Sequence, residues 1–290
     1  MAEITINGGV VVYEFVGPDD GEVVVLTPGG RFARDYGGVR ALADRLAAGG
    51  KRVLLWDRPN CGSSDIQLYG QSESHMRAET MGLMLEQLGI DRVIAAGGSG
   101  GARDMIVFTM LYPEKVRKLL TWCIVGGPFS MMSLANIYIM NELRTVRSVG
   151  ITGIFDLGEG PFGWKPLLEA NPRNRQRLLD IGTDEFERVM ERWLDAYIPK
   201  PNEAIPGVPD YMFSGIKVPT LIVRGGARDF DHPPRTSFET HVLIKGSKLA
   251  EPAWPEDAWE RAADAMVAGT GGLFDFWQLG AEQFLAFIDE

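Results

Sequence analysis

The sequence predicts an α/β fold, with a parallel sheet covered by helices on both faces. Three observations carry this. Strand-like and helix-like runs alternate from residue 23 to residue 127, the pattern of strands joined by crossover helices. Several of the strand-like runs are continuously apolar, as strands buried on both faces are. At 290 residues and 45% hydrophobic content, the chain is long enough for one large α/β domain or two small ones with a sizeable core.

The opening "EITINGGVVVYEFVGPDDGEVVVLTPGG" holds two β-rich runs broken at Asn7-Gly8-Gly9 and a third bounded by Gly17-Pro18-Asp19-Asp20-Gly21. A hairpin feeding a buried strand at 23–26 is expected. "VRALADRLAAGG" places Val39, Leu42, Ala43 and Leu46 on one helical face and stops at Gly49-Gly50. Strand "RVLLWD" follows, then a helix "HMRAETMGLMLEQLG" with Met76, Met81, Met84, Leu85 and Leu88 inward. The apolar run 93–96, the helix "ARDMIVFTMLYP" ending at Pro113 and the strand "KLLTWCIVGG" complete the alternation. From 128 to about 218 the pattern changes to amphipathic segments such as "SLANIYIMNELRTV", "RNRQRLLDI" and "EFERVMERWLDAY", closed by "PKPNEAIPGVPD". This reads as a helical insertion lying over the sheet. Strand character resumes in "VPTLIVRGG", with "SKLAEP" as a short last strand and "LGAEQFLAFI" as a C-terminal helix. The expected domains are a core of 1–127 and 219–290, and a helical cap of 128–218.

Counting 29 Lys and Arg against 39 Asp and Glu gives a net charge of −10. That excludes nucleic acid and anionic membrane as expected partners, because both need a positive field. Cys61 and Cys123 are far apart and form no CxxC or metal-type spacing. With no secretory signal pattern at the start and no run of about 18 apolar residues, a reduced, cytoplasmic protein is the simplest expectation. A small-molecule substrate is the expected partner, and a homodimer is left open. No metal-ligand cluster or P-loop occurs in the sequence, so no metal and no cofactor are expected.

"AAGGSGGARD" at 95–104 contains Gly97-Gly98-Ser99-Gly100-Gly101, a G-x-S-x-G pentapeptide. The pattern alone is weak, but it directly follows an apolar strand and directly precedes a helix, which is the setting a nucleophile elbow requires. Glycines beside the serine permit the strained strand-to-helix turn. The helix then points its N-terminal N–H groups at the reacting atom, with Gly100 N–H as one oxyanion donor.

On these residues the chain resembles the α/β-hydrolase superfamily, and the resemblance covers nearly the whole sequence. "WDRPNCGSSD" at 56–65 is similar to the D-x-R-G-x-G-x-S loop after the fourth strand, and "LTPGGRF" stands where the family carries its His-Gly oxyanion loop. The doubled glycines and the "DRPNCGSS" stretch lie nearest to the proline-iminopeptidase and meta-cleavage-product-hydrolase side. "TPGG" differs from the H-G-G-P of the peptidases, which weakens the case for peptide specificity. The resemblance implies a mostly parallel eight-stranded sheet flanked by helices with a cap inserted after the sixth strand. It also implies a second oxyanion N–H from Gly30 or Arg31.

In this superfamily the acid follows the strand before the last and the histidine follows the last strand. "LIVRGGARDFDHP" supplies Asp229 and Asp231 in the first place, but no histidine follows "SKLAEP". Serine attack near neutral pH needs a base such as imidazole. His75 lies at the polar start of a helix and His241 between the last two strands, and both read as structural. His232 lies in the acid-bearing loop at a strand end, where open α/β sheets place their sites. It is the expected relocated base, since a triad is defined by roles rather than chain order. Asp229 is the first choice of acid and Glu251 a close second, with Asp231 nearby, because an acid and base three residues apart need not face each other.

The leading expectation is a serine hydrolase of a small ester, lactone or β-diketone-like carbon–carbon bond, acting through an acyl-enzyme on Ser99. Trp164, Trp193, Met131, Met132 and Phe155 supply the cap's apolar character. Arg31 and Arg103 flank the oxyanion loop and elbow, which fits either a carboxylate-bearing or enolate substrate or ordinary surface charges. Gly30, Arg31 and Gly100 are the candidate substrate-binding residues. The alternatives are an inactive binding protein on this fold and a cofactor-independent oxygenase or lyase.

Overall fold

A computed structural model describes residues 1–158, 160 and 163–290. Eight strands form one sheet: β1 (Ala2–Ile6), β2 (Gly9–Val16), β3 (Glu22–Thr27), β4 (Lys51–Trp56), β5 (Val93–Ser99), β6 (Val116–Ile124), β7 (Thr220–Val223) and β8 (Lys248–Ala250), in the order β1-β2-β4-β3-β5-β6-β7-β8. The β1/β2 hairpin turns at Asn7 and Gly8, both at positive φ (50° and 74°), the conformation an Asn-Gly turn supplies at least cost. β2 runs antiparallel to β1 and β4, and every pair from β4 to β8 is parallel.

The helices are α1 (Val39–Ala48), α2 (Glu73–Gln87), α3 (Gly100–Leu111), α4 (Gly127–Ala135), α5 (Asn141–Val149), α6 (Trp164–Ala170), α7 (Arg173–Asp195), α8 (Pro234–Leu243), α9 (Ala258–Val267) and α10 (Ala281–Asp289). One face of the sheet packs Leu42, Leu46, Trp122 and Phe284 with α1, α9 and α10. The other packs Met81, Met84, Phe108 and Ile222 with α2, α3 and α8. Each large apolar side chain buried this way contributes about 1.5–3 kcal/mol against exposure, so the strands that carry the site stand on a rigid support. Helix α9, Ala258–Val267, is absent from the sequence expectations.

Between Gly127 and Gly215 no described residue joins the sheet. Helices α4 to α7 instead bury their own apolar cluster around Ile139, Trp164, Phe186 and Trp193, which also takes in Ile66 and Met76 from the core. α7 breaks at Gly182 (φ 75°, ψ 171°). Among the described residues no helix is long and apolar enough to cross a membrane. Both cysteines are free and buried.

β3 and β5 are neighbours whose onward connections run to opposite sides, β3 to β4 and β5 to β6. A crevice therefore opens beyond their carboxyl ends. The loop after β3 and the turn after β5 are the "TPGG" and "GGSGG" segments, so the topology alone brings the two glycine-rich motifs together.

Candidate active site

Ser99 ends the buried strand β5 at φ 57° and ψ −128°, a conformation an L-residue holds only where its surroundings enforce it. The flanking backbone leaves no room for side chains: a Cβ on Gly97 would lie 2.3 Å from Gly101 O, and one on Gly101 would lie 2.2 Å from Thr27 O. The pentapeptide is thus a steric requirement of the turn. α3 begins at the next residue, so its N-terminal N–H groups and positive dipole end face the serine. A methyl group at Gly100 would come 3.2 Å from Gly30 N, so the turn after β5 packs directly against the backbone of the loop after β3.

The loop after β3 is held from behind. Arg58 is fully buried, and its Nη2 donates to the carbonyls of Gly29, Gly30 and Phe32 at 3.0, 2.9 and 3.2 Å while Nη1 donates to Asp104 at 3.1 Å. Engaging the carbonyls on one side fixes which way the peptide N–H groups turn. Asp57 ties the chain just after that loop to the loop after β4 by accepting from the backbone N–H of Arg34 and Ser63 at 2.7 and 3.0 Å. The sequence motif "DRPNCGSSD" marks these residues as similar to a family loop, but their function as a brace depends on contacts made across the fold.

His232 lies in the loop between β7 and α8. Its Nε2 is 2.8 Å from Ser99 Oγ, and its Nδ1 is 2.8 Å from Asp229 Oδ2. A carboxylate at Nδ1 keeps the proton there, which leaves Nε2 to accept from the serine hydroxyl. The three-residue spacing works because Asp229 Oδ1 also accepts from the backbone N–H of Asp231 and His232 at 3.1 and 2.9 Å. This Asx turn folds the loop back on its own acid. Trp259 of α9 then meets the His232 ring edge-on at 4.3 Å and donates its indole N–H to Asp231 at 3.1 Å.

The other candidates are elsewhere. Asp231 is taken by Trp259. Glu251, the close second choice of acid, is exposed and paired with Arg224. His75 bonds the capping Ser72 at 2.9 Å, with burial and then Arg103 lowering its pKa, and His241 bonds Ser247 at 2.8 Å. A further observation concerns metal-type geometry, which sequence spacing does not reveal. Cys123 Sγ, an Asp229 oxygen and a His232 nitrogen lie within 4.8 Å of one another. Burial and then Asp229 push the Cys123 thiol well above its usual pKa. Asp229 and His232 are in addition already bonded to each other.

A cavity of about 230 Å³ opens on Ser99, Gly30, Gly100 and His232. The inserted helices line it with Leu134, Ile137, Tyr138 and Tyr197. Trp164 and Trp193 instead fill the insertion's own core, and Met132 is exposed. Arg31 lines the cavity, yet its guanidinium is committed: Nε to Glu73 at 3.2 Å, Nη1 to Glu142 at 3.5 Å and Nη2 to Tyr138 O at 3.2 Å. Glu73, Ser74, Arg77 and Tyr197, which sequence reasoning passes over, surround the same end of the cavity. Burial acts to raise the pKa of Glu73, but Arg31, Arg77 and Arg103 together hold it down to about 2.

No protein-family model matches the chain. It is 36% identical over 244 residues to the 2-hydroxy-6-oxononadienedioate/2-hydroxy-6-oxononatrienedioate hydrolase of Klebsiella pneumoniae, covering 78% of this chain and 77% of that one. The protein of the same name from Escherichia coli K12 is 33% identical over 118 residues, 41% of this chain and 40% of its own. Among solved structures, the enol-lactonase from Burkholderia xenovorans LB400 matches 100% of both chains with a TM-score of 0.60 at 17% identity. The meta-cleavage product hydrolase from Pseudomonas fluorescens IP01 matches 100% of this chain and 97% of its own with a TM-score of 0.59 at 16% identity. With an eight-stranded sheet, a strand-to-helix serine turn and a relative of this identity and coverage, the chain belongs to the α/β-hydrolase superfamily, as a hydrolytic enzyme on its meta-cleavage-product-hydrolase side.

Proposed function

We propose that this is a cytoplasmic serine hydrolase that cleaves a small lactone, ester or β-diketone-like carbon–carbon bond through an acyl-enzyme on Ser99. The observation that carries the reading is the continuous chain Ser99 Oγ, His232 Nε2, His232 Nδ1, Asp229 Oδ2, with 2.8 Å at both hydrogen bonds. Ser99 Oγ adds to the substrate carbonyl carbon as its proton passes to His232 Nε2, and the N–H groups of Gly100 and Gly30 receive the carbonyl oxygen as it gains charge. The scissile bond then breaks, and the leaving oxygen or carbon takes the proton from His232. Water enters by the same steps in reverse and frees the acid. Asp229 keeps the imidazole in one tautomer and balances its charge. The inserted helices roof the cavity and keep bulk water from the acyl-enzyme.

The name of the Klebsiella relative, a hydrolase of a 6-oxo dienedioate, favours the carbon–carbon end of that range. A binding scaffold without chemistry is set aside, since the chain belongs among hydrolytic enzymes. The oxygenase or lyase alternative has no observation in its favour. A fluorophosphonate probe should label Ser99, and Ser99→Ala should abolish labelling and reduce kcat by about 10⁴–10⁶. A folded protein that never labels and an alanine variant with unchanged turnover would overturn the reading.

A further inference from the structure

The inserted helices bring a tyrosine hydroxyl against the same short loop that Ser99 touches. A methyl group on Gly29 would lie 2.8 Å from Ser99 Oγ, and one on Gly30 would lie 2.6 Å from Tyr138 Oη. Consecutive glycines of the loop after β3 are thus in contact with the nucleophile and with a phenol from the insertion. Tyr138 is buried, and it lines the cavity that also holds Ser99, Gly30 and Gly100. It lies on a π-helical turn, Asn136–Met140, between α4 and α5. Such a turn takes one residue more than an α-helical turn, so it changes which side chains face the cavity, and it is a rare geometry that recurs at functional sites. Arg31 fixes both the backbone and the ring of Tyr138: its Nη2 donates to Tyr138 O at 3.2 Å, and its guanidinium lies 5.2 Å from the ring centroid. Arg31 is itself held in a buried charge cluster by Glu73 and Glu142. Burial and then Tyr197 push the Tyr138 hydroxyl above its usual pKa, against the opposing pull of Arg31. The hydroxyl therefore keeps its proton across the range in which an imidazole acts as a base, and a neutral phenol is a hydrogen-bond donor.

We propose that Tyr138 donates a hydrogen bond to the substrate carbonyl oxygen as Ser99 attacks, so that the insertion supplies a donor beside the N–H groups of Gly30 and Gly100. The inference rests on the hydrolase reading and adds a residue to its transition state. Ser99 Oγ forms its bond to the carbonyl carbon, the C=O π pair moves onto the oxygen, and the serine proton goes to His232 Nε2. Tyr138 keeps its own proton throughout and only shares it with that oxygen, so no further acid or base is required. A donor fixed next to developing charge stabilises it more in a cavity that excludes water than in solution. Because this donor belongs to the inserted helices, activation of the carbonyl is complete only while they cover the core.

The test is Tyr138→Phe, which removes one oxygen atom and retains the ring beside Arg31. On p-nitrophenyl butanoate kcat should fall about 10²-fold with KM within about twofold of wild type, the pattern of an interaction made in the transition state. Two inhibitors separate this from a packing role: butyl trifluoromethyl ketone and the alcohol formed by its reduction. Only the ketone can add Ser99 Oγ and develop an oxyanion. Inhibition by the ketone should weaken by about the same factor as kcat, while inhibition by the alcohol stays unchanged. Ketone inhibition within about twofold of wild type overturns the proposal. Equal weakening of the two inhibitors overturns it as well, because that is what a merely structural phenol gives. A ring-fluorinated tyrosine in place of Tyr138 covers the case in which Tyr138→Phe does not fold. It is a stronger donor of nearly the same shape, so it should tighten the ketone alone, and unchanged ketone binding would refute the proposal. A wild-type protein that neither takes the fluorophosphonate nor prefers the ketone to the alcohol refutes the serine reading and the proposal with it. A wild-type protein that does both, beside a Tyr138→Phe variant that behaves identically, refutes the proposal alone.

Discussion

At the scale of single residues, the site depends on which acid faces His232. Asp229 makes three bonds within its own loop, two to backbone N–H groups and one to the imidazole. It is therefore oriented before any substrate arrives, which is the condition for a catalytic group to act without reorganisation. Asp229→Asn keeps the shape but offers an amide to Nδ1 and stabilises the wrong tautomer. We expect kcat to fall by about 10⁴, whereas Glu251→Gln, which touches only the exposed pair with Arg224, should leave kcat within about twofold of wild type on a small ester. Steady-state kinetics of the two variants side by side decide this, and the reverse ranking would assign the acid to Glu251. His232→Ala should behave as Asp229→Asn or worse, with His75→Ala and His241→Ala close to wild type.

At the scale of elements, two loops and one helix terminus have to meet with their N–H groups aligned. The brace is Arg58, which reaches three carbonyls of the loop after β3 from the end of β4. The two N–H groups of Arg58 Nη2, shared among three carbonyls, hold that loop more tightly than its short glycine-rich sequence could by itself. Arg58→Met should lower kcat on a neutral ester by about 10²-fold with little change in KM, the pattern of a lost transition-state interaction. Part of kcat should return in Arg58→Lys, which reaches a carbonyl but cannot fork. A fall in Tm with normal kcat at a temperature well below unfolding would instead mark Arg58 as a purely structural residue.

For the whole molecule, the buried charge cluster joins the inserted helices to the core. Arg31 from the loop after β3 ties α2 through Glu73 to α5 through Glu142. Glu73 has a folded pKa of about 2, below the free-chain value of about 4.3. Its contribution to stability is therefore complete above about pH 4.3 and is lost as pH falls towards 2. Glu142 is shifted the other way by burial, despite Arg31, so its ionisation opposes folding as pH rises through the acid range. Glu73→Gln should cost about 3–5 kcal/mol at pH 7, because it leaves buried arginines short of a counter-charge. The gap between wild type and variant should narrow as pH drops from about 4.3 to 2. Urea unfolding across that range measures the gap, and a constant difference would refute the linkage.

Much of this was legible in the sequence because it is written in contiguous residues. Alternating periodicities report which face of each segment is buried. The elbow is a five-residue steric requirement, and the absence of histidine after the last strand directs attention to His232. What required the tertiary structure was the choice among partners. Asp229, Asp231 and Glu251 are all acids near strand ends, and only the Asx turn, Trp259 and Arg224 assign each its separate partner. Arg31 and Arg103 look alike in sequence, yet the first pairs directly with Glu73 and Glu142 and the second bonds Ser74 and Tyr197. The cavity roof is Leu134, Ile137 and Tyr138, which the sequence does not single out, while the tryptophans fill the insertion's own core. Local pattern depends on neighbours within a turn or two of chain. Charge compensation and cavity lining depend on residues tens to more than a hundred positions apart, whose distances only the folded chain defines.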